Sequence, residues 1–397
     1  MFDILKIILI FIIIVFLLKR QWNLGLVMAI SSVILAVFYL LKPLDFLNVI
    51  LKALTDKTTI SLIAALTLIR IFENIMRKNG IMQEMMDSFR GMVIDRRVLM
   101  ASMPALIGLL PSMGGALFSA PMVEEASKGI NISSEKKAFI NYWFRHPWEF
   151  ILPLYPGLVL ASAITAHSLR DLILVNFPYA LCLVAGGIIW GLSGIGKQRE
   201  GFKKISGRGL LSFLPLILIL IMVIVFHLDL SISIGSVTIC LLIILRYSLR
   251  KVYQTLKEGL SLDIIAIILG VMAFKAVLSS SGAVTNISTF FSRENIPILP
   301  VLFIIPFIAG LLTGLTFGFV GSTFPIILGL ENAQNISAVS FAFASGYAGV
   351  LLSPVHLCLV LTREYFKANM TGIYYKIIKA VMLILSVAVA EYLIFSP

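Results

Sequence analysis

The sequence predicts an all-α polytopic membrane protein made of two inverted-topology repeats. Three observations carry this: apolar composition, apolar runs of membrane length, and an internal duplication. Hydrophobic residues fill 59% of the 397 positions and charged residues 13%, far too apolar for a water-soluble domain. The apolar residues come in runs of about 20, the length a helix needs to cross hydrocarbon. They lack the period-two alternation of a membrane barrel. Internally, Gly80 in K-N-G-I matches Gly282 in S-S-G-A, and Pro104 in M-P-A-L-I-G-L-L matches Pro306 in I-P-F-I-A-G-L-L, each at an offset of 202. Further on, L-P-L-Y-P-G-L-V-L around Pro153 answers S-P-V-H-L-C-L-V-L around Pro354 at an offset of 201. Two copies of one membrane unit are the signature of a transporter.

In chain order, the first repeat (1–200) is expected to cross the membrane at about 4–18, 22–41, 58–76, 136–166 and 171–193. The second (205–397) is expected to cross at about 209–227, 230–247, 261–278, 337–362 and 373–395. The 4–18 segment lacks a small-x-small cleavage site, so it reads as a retained helix rather than a signal peptide. Two further stretches, 98–127 and 297–328, are apolar but broken centrally by P-S-M-G-G (111–115) and T-G-L-T-F-G (313–318). Both are expected to be re-entrant hairpins that enter and leave by one side. Cys182, Cys240 and Cys358 sit far apart in apolar segments, with neither disulfide nor metal-type spacing.

Loop charge supports the re-entrant assignment, because counting either hairpin as a crossing would flip everything after it. One set of loops holds Lys19 and Arg20, then Arg77 through Arg97, Lys128 through Lys137, Lys197 through Arg208, and later Arg250, Lys257 and Arg363. The opposite loops at 227–231 and 329–336 have no Lys or Arg, and 167–170 and 279–296 hold only Arg170 and Arg293. Lys42, Lys52 and Lys57 in 42–57 fit this pattern poorly. The net charge of +12 is therefore a matter of topology, and a nucleic-acid partner is not needed to explain it. Five crossings per half plus one hairpin make the copies antiparallel, so the hairpin tips would approach each other near the midplane. The expected location is the cytoplasmic membrane of a prokaryote.

A broken helix exposes N–H groups at one end and C=O groups at the other, tolerable in a bilayer only where protein, water or ligand satisfies them. Helix N-termini suit anionic oxygens, and unwound carbonyls suit Na⁺. Ser112, Gly114 and Gly115 in the first tip and Thr313, Thr316 and Gly318 in the second are candidate substrate contacts. Ser119, Ser322 and Thr323 follow on the return arms. The competing reading is that such small residues only permit close helix packing. A second pair of breaks is expected at Pro147, Pro153 and Pro156, and at Gly346, Gly349 and Pro354.

Charges inside the spans are few. Arg145, His146 and Glu149 cluster at the first break, where Arg145 suits bidentate binding of a carboxylate and His146 suits coupling to protons. An internal Arg145–Glu149 pair is the structural alternative. Ser112, His146, Glu149, Thr316 and Ser345 are the candidates for coupling to an ion. Glu73 and Lys275 are matched at an offset of 202; Lys275, deep in V-M-A-F-K-A-V-L, is the stronger candidate for a substrate cavity. Arg70 and Glu73 also fit a helix end, and His356, after Pro354, fits either the cavity or a packing role.

The run G-L-L-P-S-M-G-G-A-L-F-S-A-P-M-V at 108–123, its partner at 310–325 and the order of spans resemble the prokaryotic membrane family called domain of unknown function 401. The resemblance implies the ion transporter superfamily, near the gluconate permeases and the divalent anion/sodium symporters. It also implies a dimer in which the hairpins and unwound helices move substrate by an elevator motion. The sodium/dicarboxylate relatives carry Ser-Asn-Thr at their tips, whereas this chain has Ser112-Met113-Gly114 and Gly314-Leu315-Thr316. Arg145, His146 and Glu149 fit the often proton-coupled gluconate side better. The function expected is secondary active transport of a small organic anion, such as a sugar acid, driven by H⁺ or by Na⁺ held at the hairpin tips. No other cofactor is expected, and homodimer contacts are expected at 22–41 or 230–247. The alternatives are an exporter, or a carrier of a neutral or amino-acid-like solute. An intramembrane enzyme is more remote, since neither H-E-x-x-H nor a G-x-G-D pair occurs.

Overall fold

A computed structural model describes residues 2–92, 95–111, 115–196, 207–294, 296–330 and 335–395. All regular structure among them is helical. Six helical segments there are long and apolar enough to cross a membrane: Lys57–Lys78, Ser134–Thr165, Leu169–Leu192, Leu262–Ser280, Ile336–Phe366 and Met370–Phe395. Shorter apolar helices at Leu24–Phe38, Gly209–Ile224 and Leu230–Ile244 fall where further spans are expected.

The matched glycines have a conformational cause. Gly80 (φ +73°) and Gly282 (φ +75°) both adopt left-handed backbone, open to glycine without steric cost. Each turns the chain out of a long helix into a shorter one, Ile81–Met92 or Ala283–Arg293. Two other helices depart from expectation. Residues 42–57 and 248–260, expected as connections, contain Pro43–Thr55 and Leu249–Gly259. Pro43 starts the first at a position where its missing N–H costs nothing. Both leave large apolar side chains exposed, Leu44, Leu47 and Leu51 on one and Leu249, Tyr253 and Leu256 on the other. Their polar-and-apolar composition hid them from a search for apolar runs.

Each hairpin has two helical arms in mutual contact. The first pairs Arg96–Gly108 with Gly115–Ala126, and the second pairs Ile298–Thr313 with Thr316–Ile327. At 1.5 Å per residue, arms of 12 to 16 residues reach about 18–24 Å, short of the roughly 30 Å hydrocarbon thickness. The ends of the first hairpin lie together: the Arg96 guanidinium donates to the Lys128 carbonyl at 2.7 Å.

The halves pack reciprocally. Leu24–Phe38 lies on Leu262–Ser280, and Leu230–Ile244 on Lys57–Lys78. Pro156–Thr165 lies on Thr316–Ile327, and Leu357–Phe366 on Gly115–Ala126. Glycine sets the closest crossings. A Cβ on Gly25 would fall 2.3 Å from the Ala266 carbonyl oxygen, and one on Gly270 would fall 2.3 Å from that of Gly25. Polar contacts join loops of one charge class. Lys78 bonds Glu258, Asn79 donates to the Tyr247 hydroxyl at 2.7 Å, and the Asn369 N–H donates to Glu135 at 3.3 Å. Among the opposite loops, Ser231 donates to the Ser61 carbonyl at 3.2 Å and Asn286 to Asp3 at 3.2 Å.

Candidate functional site

Proline fixes where the long helices break. The first broken helix runs Ser134–Trp143, then a single turn at Trp148–Ile151, then Pro156–Thr165. Pro147 and Pro153 lack the N–H that continuing a helix would need. The second runs Ile336–Leu352 and resumes at Leu357–Phe366. Ser353, before Pro354, is extended (φ −70°, ψ 125°), as a residue preceding proline prefers.

These breaks bring His146 and His356 together in the interior, where 2% and 7% of their surfaces are exposed. Their Nε2 atoms lie 3.1 Å apart. His146 Nδ1 donates to the Tyr142 carbonyl at 2.6 Å, and His356 Nδ1 to the Gly314 carbonyl at 2.6 Å. Tyr142 and Tyr347 flank the pair, and the Tyr347 hydroxyl donates to the His146 carbonyl at 3.1 Å. Cys358 contributes a sulfur beside both rings.

The second hairpin tip docks onto this cluster. Gly314 (φ +63°) sits so close that a Cβ there would fall 2.9 Å from the His356 backbone nitrogen. Two residues on, the Thr316 hydroxyl donates to the Glu149 carboxylate. Gly157 makes room: a Cβ on it would fall 2.4 Å from the Thr316 methyl. The first hairpin docks from its own side. The Tyr155 hydroxyl donates to the Gly108 carbonyl, and Trp148 Nε1 donates to that of Ala105 at 2.6 Å. Arg145 is buried here, with its backbone carbonyl against Gly108. The interior thus joins one guanidinium, one carboxylate, two imidazoles and a thiol to a hairpin tip.

Of the residues singled out from sequence, Arg145, His146, Glu149 and Thr316 meet here, joined by His356. Others do not. Gly346 and Gly349 lie in unbroken helix, and Gly346 serves packing, since its Cβ would fall 2.3 Å from the Phe319 ring. Of the three positions expected for the second break only Pro354 holds it, at 353–356, the match to 152–155 at the offset of 201. Ser345 is fully buried and returns its hydroxyl to the Phe341 carbonyl at 2.7 Å, and Thr313 returns its own to Ala309 at 2.8 Å. Gly318 accommodates Thr313, whose Oγ1 would lie 2.7 Å from an added Cβ. Gly115 is buried at the start of its arm, whereas Ser112 and Gly114 lie outside the described residues.

Lys275 is elsewhere. It lines a cavity of about 610 Å³ with Lys57, His167, Arg170, His227 and Asp229, and donates to the Ala163 carbonyl at 3.4 Å. Glu73 does not pair with it; its carboxylate lies 3.9 Å from Arg77, one turn away. Reading by residue type passed over Tyr142, Tyr155, Tyr347 and Cys358. The repeat offset was the usable signal, because 146 + 201 = 347 and 155 + 201 = 356 pair each histidine with a tyrosine of the other half.

Residues 4–395 match the family described as "Protein of unknown function (DUF401)". No curated protein matches the chain.

Proposed function

The chain belongs to that family, and we propose that it is a secondary active transporter of a small organic anion, a sugar acid or another carboxylate. The observation that carries the reading is the Thr316–Glu149 hydrogen bond, which joins the hairpin tip of one half to the broken helix of the other inside the bundle. Non-helical backbone at membrane depth is costly unless it is buried in protein or lines a solute path. Reciprocal packing of each broken helix on the other half's hairpin supports inverted repeats, 1–200 and 205–397. The same-side polar contacts support the charge-based topology.

In this reading Arg145 holds the solute's carboxylate, bidentate geometry being what a guanidinium offers and an ammonium does not. Glu149 and Thr316 handle the coupling ion, H⁺ or Na⁺. The cavity bearing Lys57, Arg170 and Lys275, where three cations outnumber the single carboxylate of Asp229, gathers anions before they reach Arg145. Hairpins and broken helices move together as an elevator within a homodimer in a prokaryotic plasma membrane, as in the ion transporter superfamily. The protein carries its solute unchanged and needs no organic cofactor.

Thermal unfolding of the purified protein against sugar acids, dicarboxylates and neutral solutes, with Na⁺ or K⁺ at two pH values, tests the solute class. A ligand that binds only the folded state raises the midpoint. A carboxylate that stabilises wild type and not Arg145→Ala is expected. Stabilisation by neutral solutes alone overturns the anion assignment.

A further inference from the structure

We propose that His146, His356 and Cys358 form a binding site for Zn²⁺ or a similar borderline cation, pinning the two broken helices together. Two imidazole nitrogens and one sulfur, all within 4.8 Å of one another, belong to segments far apart in sequence. The inference goes beyond transport and does not depend on it.

Tautomers carry the argument. A carbonyl oxygen only accepts, so the Nδ1 contacts to Tyr142 and Gly314 require a proton on Nδ1 of each ring. In the neutral rings both Nε2 atoms then present lone pairs, and these face each other at 3.1 Å. Two opposed lone pairs repel, and a shared cation removes the repulsion. Metal-bound histidines characteristically donate their other N–H to a carbonyl or carboxylate, which fixes ring orientation and strengthens the ligand.

The dimensions agree. With Zn–N near 2.05 Å and tetrahedral angles, two ligating nitrogens stand about 3.3 Å apart, and a nitrogen and a sulfur about 3.5 Å. The histidine spacing lies within a few tenths of an ångström of that figure, and the Cys358 sulfur, within 4.8 Å of both nitrogens, moves closer on binding. Two imidazoles and a thiolate suit Zn²⁺ and exclude the hard cations Mg²⁺ and Ca²⁺, which take oxygen ligands. Binding displaces the thiol proton, so each ion bound releases one proton from Cys358. Three protein ligands leave a fourth position for water or an anionic oxygen.

Spectroscopic titration of the reduced full-length protein with Co²⁺, followed by Zn²⁺, tests the site. One Co²⁺ per chain is expected, with visible bands of a tetrahedral ion and a near-ultraviolet thiolate-to-cobalt band, both lost when Zn²⁺ displaces it. Cys358→Ser should lose the thiolate band, His356→Ala should lose stoichiometric binding, and Cys182→Ser should keep both. Should His356→Ala fail to fold, Cys358→Ser keeps the test readable, because it exchanges a single atom. Absence of a stoichiometric thiolate band in wild type, or its survival in Cys358→Ser, overturns the site and leaves the histidines sharing a proton. Neither result touches the solute assignment, which is read from carboxylate stabilisation.

Discussion

The first broken helix is interrupted twice and carries Arg145, His146 and Glu149, whereas the second is interrupted once and has no acidic or basic residue but His356 until Arg363. The second is also the more tightly packed. Gly346 and Gly349 press it onto the second hairpin so closely that a Cβ on Gly310 would fall 2.0 Å from the Gly346 carbonyl oxygen, and one on Gly349 2.1 Å from that of Phe307. The first half supplies charge and the second supplies a fixed surface against which that charge is aimed. Two elements broken in matched register thus differ in how mutations are expected to act on them: on the proposed transport in the first, on stability in the second.

Removing the charge should have the largest effect. Arg145→Ala is expected to abolish solute uptake, and Arg145→Lys to restore little of it, since a point charge cannot make the paired hydrogen bonds. Near-normal uptake by the lysine variant in reconstituted vesicles would break the comparison. Next, Gly346→Ala should destabilise by about 1–3 kcal/mol or more through overpacking, because a ring and a neighbouring backbone must move. Denaturation in detergent reads this directly, and an unchanged midpoint would show that the second helix has slack. Thr316→Val should follow. It deletes the donor to Glu149 and leaves a carboxylate short of a partner, costing about 1–3 kcal/mol, while Thr316→Ser keeps function. Uptake measured over a range of driving gradients should show weakened coupling in the valine variant alone.

The smallest effect belongs to the surface. Chiefly through the hydrogen bond from Lys78, the exposed Glu258 carboxyl titrates below its ordinary value. A carboxyl depressed in the folded state contributes stability above its unfolded value and loses it as pH falls through the folded one. Glu258→Gln should therefore lower stability slightly at neutral pH, with the difference from wild type shrinking to nothing as the pH falls through the acid range. A deficit that grows as the pH falls would contradict the assignment.

Much of this architecture is legible in the sequence, for reasons that particular residues make plain. Gly80 and Gly282 stand out because left-handed turns select glycine, and Pro147 and Pro153 because proline cannot continue a helix. Gly346 misleads because glycine in a membrane helix serves two ends, breaking it or letting another backbone approach, and composition does not separate them. The break itself falls after Leu352, beside Pro354, which answers Pro153 in the repeat. Lys275 is a different case. A lysine deep in an apolar run signals a cavity, but not which one, and it opens onto the 610 Å³ cavity instead of the Glu149 cluster. Cys358 carried no signal, since its nearness to His146 exists only once both helices have broken and folded back.

The most direct test of the account is uptake of a radiolabelled carboxylate, chosen by its stabilising effect, into vesicles holding the purified protein under an imposed H⁺ or Na⁺ gradient. Saturable accumulation that collapses with the gradient and is absent in Arg145→Ala is the predicted result. Accumulation that is indifferent to both gradients, or that survives in Arg145→Ala, would contradict the account.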